Sequence, residues 1–393
     1  MTTKTAKERK RIAILGATGS VGTQALDVAR HFGFEVTAIS CASSIKAAEE
    51  TVREFSPKIC AVSDREAAKE LRARISDTDC EVVDGEAAAE YAAAECNADT
   101  VVNAITGVAG LRPTVAALKS GKQLALANKE SLVTAGEAVM KLADSLGKSI
   151  LPVDSEHCAV WQALSAGKRE QVRRIILTAS GGPFRGMTRD EIATKTAADA
   201  LKHPTWNMGK KITVDSATMM NKGFEIIEAA WLFGMPPEMI DVVVHPESVI
   251  HSMVEYNDSS VIAQMAVPDM RLCVQYALTA PERYEGVTDR LDFARIGKMT
   301  FFEPDEQAFP LLALAKKAYA EGGTACAALN GANEVGVELF LKNKITLPEL
   351  FESVGEITFT TQKRPCDGVA SVLAADDEAR KRMRERFFDR LSD

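Results

Sequence analysis

Asp154 and Glu156 stand two residues apart at the end of the apolar run Ser149–Val153. In an extended chain, residues at that spacing share a face. Two carboxylates so close repel each other unless a cation or a proton lies between them. Glu225, in the stretch VDSATMMNKGFE beginning at Val214, offers a third carboxylate. Oxygen donors alone suit a hard divalent cation, Mg2+ or Mn2+, with coordination positions left for water and substrate. His157 and Cys158 follow the pair directly but form no zinc-type spacing. On a helix, Asn221 and Lys222 share a flank with Glu225 at i,i+4 and i,i+3, with Asp215 or Ser216 as the expected cap. Alone, that stretch also describes an ordinary capped surface helix with a Lys–Glu pair; its occurrence beside the other carboxylates favours the metal reading.

Other stretches have the chemistry of anion binding. GATGSVG, residues 16–22, lies between an expected strand (11–16) and an expected helix, where a dinucleotide fold puts its phosphate loop. The second strand ends in Ser40-Cys41-Ala42-Ser43-Ser44, with no carboxylate to hold a ribose 2′-hydroxyl. The hydroxyls of Ser43 and Ser44, with Lys46 just beyond, leave room for a 2′-phosphate and favour NADPH. Asn128-Lys129-Glu130 follows the strand expected at 123–127, at the carboxyl edge of the sheet. Ser180 opens the turn Ser180-Gly181-Gly182-Pro183, which suits a phosphate cup as well as a plain tight turn. His203–Lys211, with Trp206 flanked by Pro204 and Gly209, has the composition of a mobile lid near 200–211 or of an anchored surface loop.

Strands alternate with helices up to about residue 150, which predicts an α/β fold opening with a Rossmann-like parallel sheet. Strands at 173–178, 240–244 and 260–267, with the polar motifs clustered among them, mark an α/β catalytic domain over 151–300. Four amphipathic helices after residue 304 predict a C-terminal helical bundle over 301–393. The net charge of −8 over 393 residues lacks the basic face that nucleic acid requires. Eight scattered cysteines without a C-x-x-C pair read as reduced thiols. No apolar stretch is long enough for a membrane span, and the basic N-terminus has no apolar h-region, so a cytoplasmic protein is expected.

The motifs GATGSVG, ANKESLV, VDSEH, TASGGPFR, HPTWNMGKKITVDSATMMNKGFEIIEA and HPESVIHSMVEYNDSSVIAQM together resemble the 1-deoxy-D-xylulose 5-phosphate reductoisomerase family over nearly the whole chain. The resemblance implies that Thr18, Gly19, Ser20 and Val21 hold the NADPH pyrophosphate, with Asn128, Glu130 and Gly209 also lining the cofactor. It implies metal ligation by Asp154, Glu156 and Glu225. Ser180, Ser216, Asn221 and Lys222 would grip the phosphate of a ketose phosphate, with Lys129, Ser155 and His203 completing its pocket. The implied reaction is a metal-dependent skeletal rearrangement followed by NADPH reduction, giving 2-C-methyl-D-erythritol 4-phosphate, in a homodimer. Many relatives carry Gly-Lys-Asn where this chain has Ala42-Ser43-Ser44, so the lysine facing the 2′-phosphate is replaced here.

Two other readings compete. A sugar-phosphate or semialdehyde dehydrogenase could share the glycine loop, but a thioester-forming enzyme needs an activated cysteine. Cys158, set among acidic residues, is the only thiol near the site. A non-enzymatic NADP-sensing protein would not need the full set of carboxylates and phosphate ligands.

Overall fold

The structure, a computed structural model, describes residues 10–206 and 208–391. Packing groups the chain into two units, whereas the sequence suggested three consecutive segments. The first unit comprises 1–128, 141–154 and 269–289; the second comprises 129–140, 155–268 and 290–393.

In the first unit, β1 (Arg11–Leu15), β2 (Glu35–Cys41), β3 (Ile59–Val62), β4 (Glu81–Asp84), β5 (Thr100–Asn103), β6 (Gln123–Leu126) and β7 (Ile150–Pro152) form one sheet. Its order is β4-β3-β2-β1-β5-β6-β7, and every pairing is parallel. The chain winds outward in both directions from β1, so the topological switch point lies at the carboxyl ends of β1 and β5, where α/β folds bind ligands. Strands covered on both faces must be apolar throughout, and β1, β3 and β5 carry only buried residues beyond Arg11. The helix Met270–Thr279 returns to this unit because Val274, Ala277 and Leu278 complete its core beside Ala25 and Leu26.

The second unit holds β8 (Val172–Ala179), β9 (Ile240–Val244), β10 (Ile250–Tyr256) and β11 (Val261–Met265), ordered β11-β10-β8-β9. β10 runs antiparallel to β8 and β11, while β9 is parallel to β8. The sequence reading missed β10: its HSMVEY core mixes buried polar residues, His251, Ser252 and Glu255, into the strand and so hides the apolar alternation. The helices Pro310–Glu321, Ala325–Leu341, Leu347–Thr360 and Val369–Arg386 are the four expected after residue 304. They do not stand apart: Leu311, Leu312, Phe340 and Val354 share one core with Phe184, Phe224 and Ile175, and that shared burial merges the expected middle and C-terminal segments.

Two local expectations are corrected. Asp154 and Glu156 do not lie on an extended chain, because β7 stops at Pro152 and a helix begins at Ser155. Asp215 and Ser216 do not cap the helix carrying Glu225; they close the preceding helix Lys210–Ala217, and Met219, with φ +59°, turns the chain into the helix Met220–Phe233. Among the described residues no helix is long and apolar enough to cross a membrane.

Candidate active site

The glycine loop of the first unit is shaped by contacts that exclude side chains. A Cβ on Gly22 would lie 2.1 Å from the Gly16 carbonyl oxygen, and one on Gly16, itself at φ +79°, would lie 2.6 Å from the Ala104 oxygen. The helix Ser20–Phe32 therefore starts directly against the loop. Gly19 at its N-cap has no side chain to occupy the first-turn amides, which suits an anion. Gly19 and Ser20 are exposed and Thr18 and Val21 half-buried. Ser40 Oγ accepts the Gly16 amide at 2.9 Å, tying the loop to β2. Ser43 and Ser44 are exposed just past the end of β2. Asn128 is spent on architecture: its Nδ2 donates to the Ile105 and Gly107 carbonyls at 2.7 and 2.8 Å, holding the loop after β5.

In the second unit, residues far apart in sequence converge on Glu225, which is 1% exposed. Lys129 Nζ donates to Asn221 Oδ1 at 2.8 Å and to Glu225 Oε1 at 3.3 Å. Asn221 Nδ2 donates to Glu225 Oε1 at 2.5 Å. Lys222 bridges the carboxylates, bonding Glu225 Oε2 and lying 3.2 Å from Glu156 Oε1. Ser155 Oγ donates to Glu156 Oε2 at 2.5 Å. Oxygens of Glu156 and Glu225 lie within 4.8 Å of one another. Buried carboxylates need compensating charge, and here the Lys129 and Lys222 ammonium groups supply it. Hard oxygen donors at this spacing fit a divalent cation of the Mg2+ or Mn2+ kind. Asp154, two positions before Glu156, ends the 141–154 segment of the first unit. His157 Nε2 bonds the Glu225 carbonyl oxygen at 2.9 Å, and its Nδ1 lies 3.7 Å from Glu228 Oε2.

A second group in the same unit joins Ser180, His203 and Ser216. His203 Nε2 lies 3.0 Å from Ser180 Oγ and 3.2 Å from Ser216 Oγ. Its Nδ1 accepts the Trp206 and Thr205 amides at 2.9 and 3.2 Å. A nitrogen that accepts two amide protons carries none, so the proton sits on Nε2 and is offered to the two hydroxyls. Burial lowers the His203 pKa and favours this neutral form. His203 thus pins Trp206 to the two serines, an arrangement sequence spacing did not disclose. Asn207 of the expected lid lies outside the described residues.

Glu130 and Gly209 also fall in the second unit. Glu130 accepts Lys211 Nζ at 3.0 Å. Burial pushes its carboxyl up, but Lys211, a backbone hydrogen bond and Lys129 together outweigh that and leave it below the ordinary range. The sequence reading passed over Lys211; its i,i+4 spacing to Asp215 was the one available signal.

Three sequence profiles match the chain: 1-deoxy-D-xylulose 5-phosphate reductoisomerase over residues 12–136, that enzyme's C-terminal domain over 150–233, and the DXP reductoisomerase C-terminal domain over 265–382. The 1-deoxy-D-xylulose 5-phosphate reductoisomerase of Caldanaerobacter subterraneus subsp. tengcongensis is 48% identical over 382 residues, covering 96% of this chain and 99% of that protein. The Acetivibrio thermocellus enzyme is 50% identical over 375 residues, covering 95% and 98%. The solved structure of the Zymomonas mobilis enzyme in complex with NADPH superposes with a TM-score of 0.91 at 39% identity, covering 97% and 99% of the two chains. A DOX-P reductoisomerase in complex with NADPH, fosmidomycin and magnesium also reaches 0.91, at 37% identity, covering 96% and 98%. With relatives at this identity covering at least 95% of its length, the chain belongs to the 1-deoxy-D-xylulose 5-phosphate reductoisomerase family.

Proposed function

We propose that this protein rearranges 1-deoxy-D-xylulose 5-phosphate and reduces the product with NADPH to 2-C-methyl-D-erythritol 4-phosphate, in non-mevalonate isoprenoid biosynthesis. The observation that carries the reading is the convergence of Glu156, Glu225, Lys129, Asn221 and Lys222 in one half-buried cluster. The first unit binds NADPH, with Thr18, Gly19, Ser20 and Val21 at the pyrophosphate and Ser43 and Ser44 donating to the 2′-phosphate. Asn128, Glu130 and Gly209 complete the cofactor's surroundings. The second unit carries the chemistry, with the segment near 200–211 closing over the substrate.

Asp154, Glu156 and Glu225 hold the divalent metal, Mg2+ or Mn2+. When bound, the metal supplies Lewis-acid polarisation of the substrate oxygens, and NADPH supplies the hydride. Lys222 leaves the carboxylates for the substrate phosphate once their charge is otherwise neutralised, joining Asn221, Ser180 and Ser216. His203, neutral and protonated on Nε2, orients the Ser180 and Ser216 hydroxyls toward the same phosphate. Lys129 and Ser155 orient the substrate hydroxyls, Lys129 as a fixed positive charge held by Asn221. Binding energy from the phosphate end holds the reacting carbons in place at a distance.

The protein is a cytoplasmic homodimer that takes a small phosphorylated ketose, with neither nucleic acid nor membrane as partner. The eight free cysteines suit a reducing compartment. The free edge of β11, where Val261 and Ile262 are exposed, supports pairing with a second copy. The semialdehyde alternative fits poorly: Cys158 is 1% exposed and accepts a bond from Gln162 Nε2 at 3.3 Å, so it is no accessible nucleophile. The test follows NADPH oxidation with 1-deoxy-D-xylulose 5-phosphate and Mg2+, with the product identified by 13C NMR. Reduction that leaves the carbon skeleton unrearranged, or no reduction, overturns the reading.

A further inference from the structure

Lys211 belongs to none of the roles assigned above. It is the second residue of the helix Lys210–Ala217, directly after the segment 200–209, and 21% of its side chain is accessible. Its Nζ lies 3.0 Å from Glu130 Oε1 and 2.9 Å from Asp215 Oδ2, and 5.1 Å from the centre of the Phe224 ring. Glu130 and Asp215 are 5% and 1% exposed. Asp215 Oδ1 also accepts Asn333 Nδ2 at 2.9 Å, which ties the group to the helix Ala325–Leu341. Burial works against the ammonium, but Asp215, Glu130 and Glu334 outweigh it and raise its pKa above the ordinary lysine value.

Each carboxylate stands one peptide bond from a residue placed at the substrate. Glu130 follows Lys129, and Asp215 precedes Ser216. One ammonium held between two buried carboxylates moves toward either only by lengthening its contact with the other, so its geometry is stiff. The two backbone stretches are thereby locked to each other and to the end of the segment 200–209.

We propose that Lys211 is a positioning residue that locks the end of the 200–209 segment to Glu130 and Asp215, and so sets Lys129 and Ser216 for the substrate. The lock is a matter of this chain's own contacts; what Lys129 and Ser216 hold rests on the proposed function.

The test compares Lys211→Met, Lys211→Arg and the double variant Lys211→Met with Asp215→Asn, by hydrogen exchange, thermal melting and steady-state kinetics. In Lys211→Met, peptides covering 200–211 and 129–134 are expected to exchange about tenfold faster, the scale of a lost charge-assisted contact, while β1 and β5 stay unchanged. KM for the ketose phosphate rises by about tenfold, with a smaller fall in kcat. Lys211→Arg, which keeps the charge and offers a fork of donors to the two carboxylates, returns both toward wild type. The double variant, relieved of one uncompensated carboxylate, recovers melting temperature but neither exchange protection nor KM. Unchanged exchange at 200–211 in Lys211→Met overturns the lock, as does equal acceleration throughout the protein. Recovery of KM in the double variant overturns it too, because Lys211 would then only neutralise charge. If the wild-type protein turns over no 1-deoxy-D-xylulose 5-phosphate, the proposed function fails, while the exchange contrast still decides the lock.

Discussion

The glycine loop of the first unit and the Glu225 cluster of the second are built from opposite materials. The loop is seven consecutive residues, 16–22, whose usefulness lies in backbone and in the absence of side chains. The cluster draws Lys129, Glu156, Asn221, Lys222 and Glu225 together, with Lys129 and Glu225 separated by 96 positions. Gly19 and Ser20 are exposed, whereas Lys222 and Glu225 are 4% and 1% exposed. A site made of backbone should tolerate changes of charge nearby but not added volume. A site made of buried ion pairs should tolerate volume-conserving changes only while the charges survive.

The largest expected effect comes from a change that alters charge and almost nothing else. Glu225→Gln keeps the shape but removes one metal oxygen's charge and leaves Lys129 and Lys222 with a neutral partner. Turnover should fall by about 10³-fold, the scale of losing a preorganised electrostatic group, and Mg2+ binding measured by calorimetry should weaken with it. Wild-type turnover in this variant, or in the wild type after exhaustive chelation, would break the comparison on the cluster side.

Gly22→Ala makes the converse change, one methyl and no charge. Its Cβ meets the Gly16 carbonyl and the Ala17 backbone, neither of which can rotate away. A loss of about 1–3 kcal/mol of stability is expected, the usual range for overpacking, together with weaker NADPH binding. A melting temperature and NADPH Kd equal to wild type would show that the loop has slack which its geometry does not reveal.

Ser43→Asp tests the rim of the first unit, where side chains rather than backbone are proposed to choose the cofactor. An added carboxylate accepts from a ribose hydroxyl and repels a 2′-phosphate. The ratio of kcat/KM with NADPH to that with NADH should fall by about tenfold. An indifferent variant would place Ser43 away from the adenosine end.

The smallest effect is that of pH on His203. Burial holds its pKa below the ordinary histidine value of 6.5, so the unfolded chain binds the extra proton first as pH falls. The stability contributed by the neutral ring is therefore complete above about pH 6.5 and is lost on acidification below it. Protonation of Nδ1 also ends its acceptance of the Trp206 and Thr205 amides. Ring 15N shifts of the ligand-free protein should titrate with a midpoint below 6.5; a midpoint above it would contradict the neutral form that burial favours.

Much of this was legible in the chain. Seven parallel strands followed from short apolar runs alternating with helical periodicity, because each step of that pattern is local. The loop at Gly16–Gly22 was equally local, its strand–turn–helix context lying within about twenty residues. The carboxylates were found by type and proximity in sequence, although the extended geometry first assigned to Asp154 and Glu156 gave way to a helix start at Ser155. In the same way Asp215 and Ser216 were recognised as important but given the wrong helix, since Met219 breaks the chain between two helices where no glycine or proline announces it.

By itself, then, the sequence determined the parallel sheet, the glycine loop and the set of residue types from which the candidate site is made. Only the tertiary structure decided which of them meet. It set Lys222 between Glu156 and Glu225, His203 between Ser180 and Ser216, and Lys211 between Glu130 and Asp215. It also returned the helix Met270–Thr279 to the first unit and merged the C-terminal helices into the core of the second. Local periodicity reports which face of an element is apolar, and many partners can bury an apolar face. Which lysine compensates which buried carboxylate depends on contacts across as many as 96 residues, and those exist only once the second unit has packed.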